Sequence, residues 1–331
     1  MKKWKLGLAS STLAILFLVG CGSNGSDNTS GESSGDDKAY TIGMTQIVEH
    51  PSLDAASEGF KKAIEDAGVD VEFDEQNAQN DQTNSNTIAQ NFVSQGVDLI
   101  FANSTPSAQA SLNATKDIPI IFTSVTDPVD AKLIASFEEP GGNVTGTADG
   151  NPEAIPSTIA FMAEEMGAKT VGTVYNTGEA NSVAQIVTMK KEAEKVGLKL
   201  VEAAVTASSE VKQATESLVG KVDVLYIITD NTVVSALESV VMVANEKDIP
   251  LFVGEFDSVE RGGFAAYGFD YYDIGYEAGQ MAAQILKDGK KPADIPAQYP
   301  QNLKLVINED AAKEMGIEIK DEWKETAEFL E

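Results

Sequence analysis

Polar side chains follow several apolar runs of this sequence at the point where each run ends. In VDLIFANSTPSAQA (97–110), hydroxyl and amide residues crowd around a proline where a helix can begin. Such side chains either hydrogen-bond a polar small molecule at the carboxyl ends of parallel strands or cap the next helix. The candidate binding residues are Thr45, Gln46, His50, Asn103, Ser104, Thr105, Ser107, Thr126, Asp127, Tyr175, Asn176, Glu179, Asn181, Asp230, Asn231, Glu255 and Asp257. Capping explains any one of them, but the whole collection predicts a binding site.

The charges available at these positions indicate which ligand would fit. Arg261 is the only arginine, so a guanidinium clamp for an anion is hardly available. An anionic group would instead use hydroxyls and the backbone N–H groups of the helix that starts within 104–107. Carboxylates that could accept an ammonium group are Asp127, Asp230, Glu255 and Asp257, with Asp230 the first choice. A ligand with both charges, such as an amino acid, suits this set.

The elements that must position these residues form a repeating α/β pattern. AYTIGMTQI predicts a strand, and residues 52–67 carry apolar residues at helical spacing. VDVEF, a helix over 81–95, VDLIFA, a short helix and IPIIFTS continue the alternation, and the pattern restarts at residue 168. Strands that alternate with helices in this way predict βαβ units and parallel sheets.

Two stretches of sequence occur twice and indicate two similar domains. VDLIFANST is echoed by VDVLYIITDNT, and KDIPIIFTS is echoed by KDIPLFVGE. If the two domains face each other, their polar strand ends meet in a cleft, which is a favoured place for a small molecule. The single histidine, His50, either lines that cleft or is an ordinary turn residue.

The N-terminus predicts export and lipid anchoring. MKKWK followed by LGLASSTLAILFLVG is typical of a signal peptide over residues 1–20. The cysteine of LVGC, Cys21, is then acylated, and the polar segment 21–37 is a flexible tether. Cys21 is the only cysteine, so an intramolecular disulfide is excluded. The excess of 52 acidic over 24 basic residues argues against a nucleic-acid partner.

Catalysis is the main alternative from another class of function. The sequence contains no G-x-S-x-G elbow, no H-E-x-x-H helix and no G-x-x-x-x-G-K-[ST] loop. We therefore expect no enzyme activity, catalytic residue, metal or cofactor, although an extracytoplasmic hydrolase stays open as an alternative. A sugar- or nucleoside-binding protein would use stacking aromatics and the same Asp and Asn residues, and it also stays open.

Longer motifs resemble the extracytoplasmic solute-binding proteins of ABC importers, in particular the group that includes tryptophan-binding lipoproteins. The motifs are IVEHPSLDAASEGF, FTSVTDPVDAKLI, EEPGGNVTG, YNTGEANS, GFAAYGFDYYDIGYEAGQMAAQIL, PADIPAQYP and LKLVINEDAAKEMGIEI. The resemblance implies the type I periplasmic-binding fold: α/β, with two Rossmann-like lobes, parallel sheets and a hinge of three crossovers. Lobe one would comprise 38–143 plus 268–297, and lobe two 144–267 plus 298–331. The turn at 140–142 would be either the first crossover or a surface turn before a strand.

The same resemblance implies how such a protein works. A monomer, held by its lipid at the outer face of the cell membrane, closes its hinge around an amino acid with an aromatic side chain. An ABC permease with its ATPase then receives the ligand.

Overall fold

The structure is a computed structural model that describes residues 39–330, in which strands and helices alternate. The strands are β1 Tyr40–Gln46, β2 Val71–Asn77, β3 Leu99–Asn103, β4 Ile120–Val125, β5 Val144–Ala148, β6 Thr170–Asn176, β7 Lys199–Val205, β8 Val224–Ile227, β9 Leu251–Val253, β10 Ala265–Gly268, β11 Lys304–Asn308 and β12 Ala327–Leu330. The helices are α1 Pro51–Asp66, α2 Gln82–Gln95, α3 Thr105–Ala114, α4 Ala154–Glu164, α5 Ala180–Val196, α6 Val211–Leu218, α7 Asn231–Val234, α8 Leu237–Glu246, α9 Phe256–Glu260, α10 Tyr271–Asp288 and α11 Glu309–Glu314. The predicted signal peptide, the acylated Cys21 and the tether lie outside the described residues.

The strands form two sheets, and each sheet is the centre of one lobe. The first lobe has five parallel strands in the order β2-β1-β3-β4-β5. The second lobe has seven strands in the order β12-β11-β10-β9-β8-β6-β7, all parallel except for the β10–β11 pair. The predicted α/β class with two parallel-sheet lobes is therefore confirmed.

A pair of aspartates explains the repeated Val-Asp of the sequence. In the first lobe the carboxylate of Asp98, just before β3, accepts a hydrogen bond of 2.8 Å from the N–H of Thr41 in β1. In the second lobe Asp223, just before β8, accepts bonds of 2.8 Å from the N–H groups of Lys169 and Thr170 at the start of β6. Each aspartate fixes the register of two neighbouring strands, so the sequence repeat reflects the same structural role in both lobes.

The chain crosses between the lobes three times, within segments 149–153, 269–270 and 299–303. The first crossing follows β5, because Val144 pairs with Ile120 of β4 and keeps β5 in the first sheet. The turn at 140–142 therefore precedes a strand, and the first lobe extends a few residues beyond the predicted boundary at 143.

The second crossing returns the chain to the first lobe as α10, which packs against α1. The two helix backbones approach so closely that a Cβ on Gly275 would overlap the carbonyl oxygen of Ala56. A Cβ on Gly59 would likewise overlap the carbonyl oxygen of Tyr272. Within residues 39–330, no helix combines the length and the apolar character needed to cross a bilayer.

Candidate functional site

A small cavity of about 10 Å³, enough for about one water molecule, lies where the carboxyl ends of strands from the two lobes face each other. We call it the polar chamber; its lining residues are His50, Leu53, Ser124, Thr126, Asp149, Asn181, Thr229, Asp230, Asn231, Val234, Glu255 and Tyr271. Six of the sequence-predicted residues are among them: His50, Thr126, Asn181, Asp230, Asn231 and Glu255. The cleft expected from the strand ends therefore exists, and these six residues meet in it.

Three carboxyl groups dominate the electrostatics of the polar chamber. The side chains of Asp149, Asp230 and Glu255 are buried there, and burial raises the pKa of each one. None of the twelve lining residues is a lysine or an arginine. Buried carboxylates without a cation are costly, so the chamber favours a ligand that brings a positive charge.

Asp230 has most of its hydrogen-bonding capacity occupied within the second lobe. Its Oδ1 caps α7 by accepting from the Val233 N–H at 2.9 Å. Its Oδ2 accepts from the Asn176 N–H at 2.6 Å and from the Ser182 hydroxyl at 2.7 Å. Burial, followed by the nearby Glu179 carboxylate, raises the pKa of Asp230 to about 7.

Asp149 has a carboxylate oxygen that is more available to a ligand than either oxygen of Asp230. It directly follows β5 at the first crossing, and its Oδ2 accepts a 2.8 Å hydrogen bond from the hydroxyl of Tyr271, the first residue of α10. Its Oδ1 is buried and has no hydrogen-bond partner among residues 39–330. Burial raises the pKa of Asp149 to about 6. The Asp149–Tyr271 bond thus joins two of the three crossings at the wall of the chamber.

Glu255 and His50 are two further titratable residues that line the polar chamber. Glu255 Oε1 accepts from the Ser258 hydroxyl at 2.9 Å, and burial raises the pKa of this carboxyl to about 7. Burial, followed by the charge of Arg261, lowers the pKa of His50 to about 4, so His50 is neutral at physiological pH. The guanidinium of Arg261 donates to Glu238 and to the carbonyl of Val234, a residue of the chamber wall, and its charge also lowers the pKa of Glu255.

The start of α3 presents hydroxyl groups next to the polar chamber. Ser104 caps this helix by accepting from the Ser107 N–H at 3.3 Å, with an unusual φ of 129°. The hydroxyls of Thr105 and Ser107 are buried and have no partner within the described part of the chain. Thr105 and Asn181 line a small gap of about 10 Å³ between the lobes, and Asn181 also lines the polar chamber. Hydroxyls and N–H groups at a helix start suit an anionic group.

The backbone is also strained at the end of β4. Ser124 has a φ of 56°, a value that favours glycine, and its hydroxyl is buried without a partner among the described residues. Strained backbone of this kind is concentrated at binding sites. Ser124 therefore adds a second polar group from the first lobe to the chamber wall.

Glu179 and Asn176 build the second lobe's side of the site without lining it. The Glu179 carboxylate accepts from the backbone N–H groups and side chains of Asn231 and Thr232, which ties the start of α5 to α7. Asn176 donates to the Thr232 hydroxyl at 2.9 Å. The same hydroxyl accepts a 3.0 Å bond from Asn80 of the first lobe, so the two lobes are in contact here.

Several predicted residues lie away from the polar chamber. Thr45 and Gln46 line a separate pocket on the first lobe beside α1 and β2. Asn103 donates to the Leu53 carbonyl and to the Ser57 hydroxyl, and so holds α1 against β3.

Tyr175, Asp127 and Asp257 are the remaining predicted residues. The Tyr175 hydroxyl bonds Glu202 at the surface of the second lobe. Asp127 caps its own turn through the Val129 and Asp130 N–H groups, and it lines spaces next to the polar chamber. Asp257 lies in the first turn of α9 and is not among the residues that line the chamber.

A larger space of about 320 Å³, partly open to solvent, adjoins the polar chamber. We call it the hinge chamber; it is lined by Thr126, Asp127, Asp149, Gly150, Asn151, Pro152, Ala154, Ile155, Pro156, Ala184, Gln185, Thr188, Lys191, Glu192, Tyr226, Thr229, Gly254, Phe269 and Tyr299. Thr126, Asp149 and Thr229 line both chambers. Gln185 bridges the lobes there, donating to Thr229 Oγ1 at 2.7 Å and to Thr126 Oγ1 at 3.4 Å.

Two lobes joined by three crossings, with a buried polar chamber between facing strand ends, define a two-lobed small-molecule binding protein of the type I periplasmic-binding fold. Sequence comparison identifies the family: the profile described as "ABC transporter substrate binding protein" matches residues 41–329. The chain belongs to this family.

Relatives with known names or structures are similar over nearly the whole chain. A "Tyrosine-binding protein" of Clostridioides difficile (strain R20291) is 46% identical over 94% of this chain and 91% of its own. A Streptococcus pneumonia ABC domain in complex with L-Trp is 34% identical with a TM-score of 0.84, covering 89% of this chain and all of that one.

A third relative bears on the arrangement of the lobes. The ligand-free, open structure of a Clostridium difficile substrate-binding protein is 43% identical, with a TM-score of 0.66 over 88% of this chain and 99% of that one. This chain is thus nearer in shape to the L-Trp complex than to the open form, although its sequence is nearer to the latter. Together with the Asn80–Thr232 contact, this indicates lobes that have come together.

Proposed function

We propose that this protein captures an aromatic amino acid between its lobes and delivers it to the permease of an ABC importer, as a lipoprotein on the outer face of the cell membrane. It binds and releases the amino acid without transforming it. The observation that carries the proposal is the polar chamber, where three buried carboxyl groups meet and no lysine or arginine is among the lining residues. The ammonium group of an amino acid supplies a positive charge there.

Asp149 and Glu255 have the oxygens that are most available to accept the ammonium group. Asp230 contributes a third carboxylate to the wall of the polar chamber. Asp149 Oδ1 has no partner among the described residues, whereas Asp230 accepts three hydrogen bonds from its own lobe. A charge-assisted bond to a buried carboxylate is strong and directional, so the ammonium group orients the ligand.

The ligand's carboxylate belongs on the opposite side, at the start of α3. Thr105 and Ser107 offer unpartnered hydroxyls there, and the helix start adds N–H groups and a favourable dipole. Because Glu255 lies in the second lobe and the start of α3 lies in the first, a ligand that contacts both favours the closed arrangement over the open one.

The choice of an aromatic amino acid rests on relatives whose names or complexes contain tyrosine and L-Trp. Export and anchoring rest on the sequence of residues 1–37, with Cys21 as the acylated residue. The solved structures of a glucose-galactose binding protein and of a solute binding protein with bound myo-inositol are 15% and 20% identical to this chain, and that likeness concerns the fold alone.

A calorimetric titration of the purified protein with amino acids, sugars and nucleosides tests the proposal. We expect saturable binding of tyrosine, tryptophan or phenylalanine with no heat of turnover at long times. Binding of sugars or nucleosides alone would refute it. Continuous heat from a converted ligand would identify an enzyme instead.

A further inference from the structure

The hydrogen bond between Asn80 and Thr232 joins the two lobes at a place far from the three crossings. Asn80 lies in the loop between β2 and α2 of the first lobe, and Thr232 lies in α7 of the second. The Asn80 side chain donates to the Thr232 hydroxyl at 3.0 Å. Neither residue is among the described residues that line the polar chamber or the hinge chamber.

The crossings gather at one edge of the first sheet, whereas Asn80 follows the strand at the other edge. Asp149 directly follows β5 and bonds Tyr271 just after the second crossing, and Thr147 of β5 pairs with Gln298 just before the third. Strand β2 is four strand spacings from β5, or about 19 Å. An opening rotation of about 10° at the crossings moves a group at that distance by about 3 Å, which breaks a hydrogen bond. The Asn80–Thr232 bond therefore belongs to the closed arrangement.

The Thr232 hydroxyl is arranged to receive this bond. A hydroxyl has one hydrogen to donate and two lone pairs with which to accept. Thr232 donates to Glu179 Oε1 at 2.7 Å, and it accepts from the side chains of Asn176 at 2.9 Å and Asn80 at 3.0 Å. Thr232 and Glu179 are buried, and the Glu179 carboxylate also accepts from Asn231 in the wall of the polar chamber. The bond from the first lobe thus completes a buried network beside the ligand site.

The loop that carries Asn80 is fixed in a strained backbone conformation. Gln79 and Asn80 have φ values of 55° and 58°, in the left-handed region that favours glycine. The Asn80 N–H donates to the Ile47 carbonyl at 2.7 Å, and the Gln79 N–H donates to the Asn77 side chain at 2.7 Å. Strain of this kind persists only where neighbouring contacts impose it, and it is concentrated at functional positions. These contacts all lie within the first lobe, so they do not depend on closure.

We propose that Asn80 and Thr232 form a latch that stabilises the closed arrangement and slows the escape of the enclosed ligand. The latch acts on the equilibrium between the open and closed arrangements and not on the ligand itself. This inference goes beyond the proposed function, because the latch works on whichever small molecule the lobes enclose.

Gln79 and Asn80 offer a matched pair of variants for a test. Glycine adopts φ values near those of both residues without strain and keeps the backbone N–H groups, so Gln79→Gly and Asn80→Gly relieve the same strain. The Gln79 side chain is exposed, whereas that of Asn80 bonds the other lobe. Calorimetric titration with L-tyrosine, L-tryptophan and L-phenylalanine gives the Kd of each variant. Release of the radiolabelled amino acid into an excess of unlabelled compound gives the dissociation rate.

We expect Asn80→Gly to bind at least about threefold more weakly than Gln79→Gly, because it lacks one hydrogen bond of the closed arrangement. The latch forms after the ligand is enclosed, so the loss should appear as faster dissociation. A ratio of Kd values below threefold would overturn the latch. Weaker binding that comes from slower association, with an unchanged dissociation rate, would overturn it as well.

Variants of Thr232 test the other half of the latch. Thr232→Ser keeps the hydroxyl and Thr232→Val removes it, so Asn80→Gly should still weaken binding about threefold in the serine background but change little in the valine background. Equal effects in the two backgrounds would refute the pairing. If Thr232→Val does not fold, the comparison of Asn80→Gly with Gln79→Gly decides the matter. Binding of a sugar or nucleoside in place of amino acids would refute the proposed function, and the same variants titrated with that compound would still test the latch.

Discussion

Replacing Asp149 by asparagine separates the binding role of this carboxylate from any role in stability. The pKa of Asp149 is raised from 3.8 to about 6, which corresponds to about 3 kcal/mol against the charged form in the buried, ligand-free chamber. Asparagine keeps the shape and can still accept the 2.8 Å hydrogen bond from Tyr271. The change therefore removes the charge and little else.

The expected result is a protein that binds its ligand less well and unfolds no more easily. A hydrogen bond to a charged group contributes about 1.5–3 kcal/mol, so loss of the Asp149–ammonium bond should raise the Kd by about 10- to 150-fold. In the ligand-free protein, a carboxyl with a raised pKa contributes stability that is lost as pH rises through about 6. At pH 8 the Asp149→Asn protein should thus melt at the same temperature as the unaltered protein, or higher.

Calorimetric titration gives the affinity, and differential scanning calorimetry without ligand gives the melting temperature. Asp270→Asn is the control, because Asp270 is an exposed N-cap at the start of the same helix α10 and accepts from the Tyr272 N–H at 2.8 Å. Asparagine caps a helix as well as aspartate does, so the Asp270→Asn variant loses a charge but keeps the helix cap. A Kd within twofold of the unaltered value for Asp149→Asn would refute the reasoning, and parallel losses of stability and affinity would assign Asp149 a structural role.

Two further predictions concern proton release and helix packing. Because Asp149, Asp230 and Glu255 have pKa values of about 6, 7 and 7, they are partly protonated at pH 6.5, and an incoming ammonium group should expel about half a proton or more. Titrations in phosphate and in imidazole buffer at that pH should give different binding enthalpies, and equal enthalpies would contradict the ammonium assignment. Gly275→Ala should lower the free energy of unfolding by about 1–3 kcal/mol or more, because the added Cβ overlaps the Ala56 carbonyl, and denaturant titration measures the loss. An unchanged unfolding midpoint would show that α1 and α10 can separate at little cost.

The fold was predictable where the sequence pattern is local and strong. Apolar runs such as the one that forms β3, followed by a capping residue, specify strand, turn and helix start without tertiary information. Residues 232–244 carry a pattern typical of one helix, but the chain there forms two, α7 and α8, with Ala236 as the N-cap of the second.

The candidate site was only partly predictable, because burial and hydrogen-bond partners depend on tertiary packing. Asp230 is at a strand end as expected, but its oxygens are largely occupied by the N–H and hydroxyl groups of neighbouring elements. Asp149 was missed because β5 contains Gly146 and two threonines rather than an apolar run. The rule that placed the other residues at strand ends would have found Asp149 if β5 had been recognised. Tyr271 was missed because it enters the chamber from a helix start.

The packing of α10 against α1 can form only after most of the chain has been synthesised. The five strands of the first lobe are complete in the nascent chain once Ala148 has been made, but the glycine-lined contact with α10 needs the chain to reach Asp288. A ribosome must therefore add about 140 residues between the last strand of that lobe and the end of the helix that covers its core. Any stalled or truncated product that stops before Tyr271 leaves one face of α1 bare, and such fragments are natural targets for chaperones and proteases.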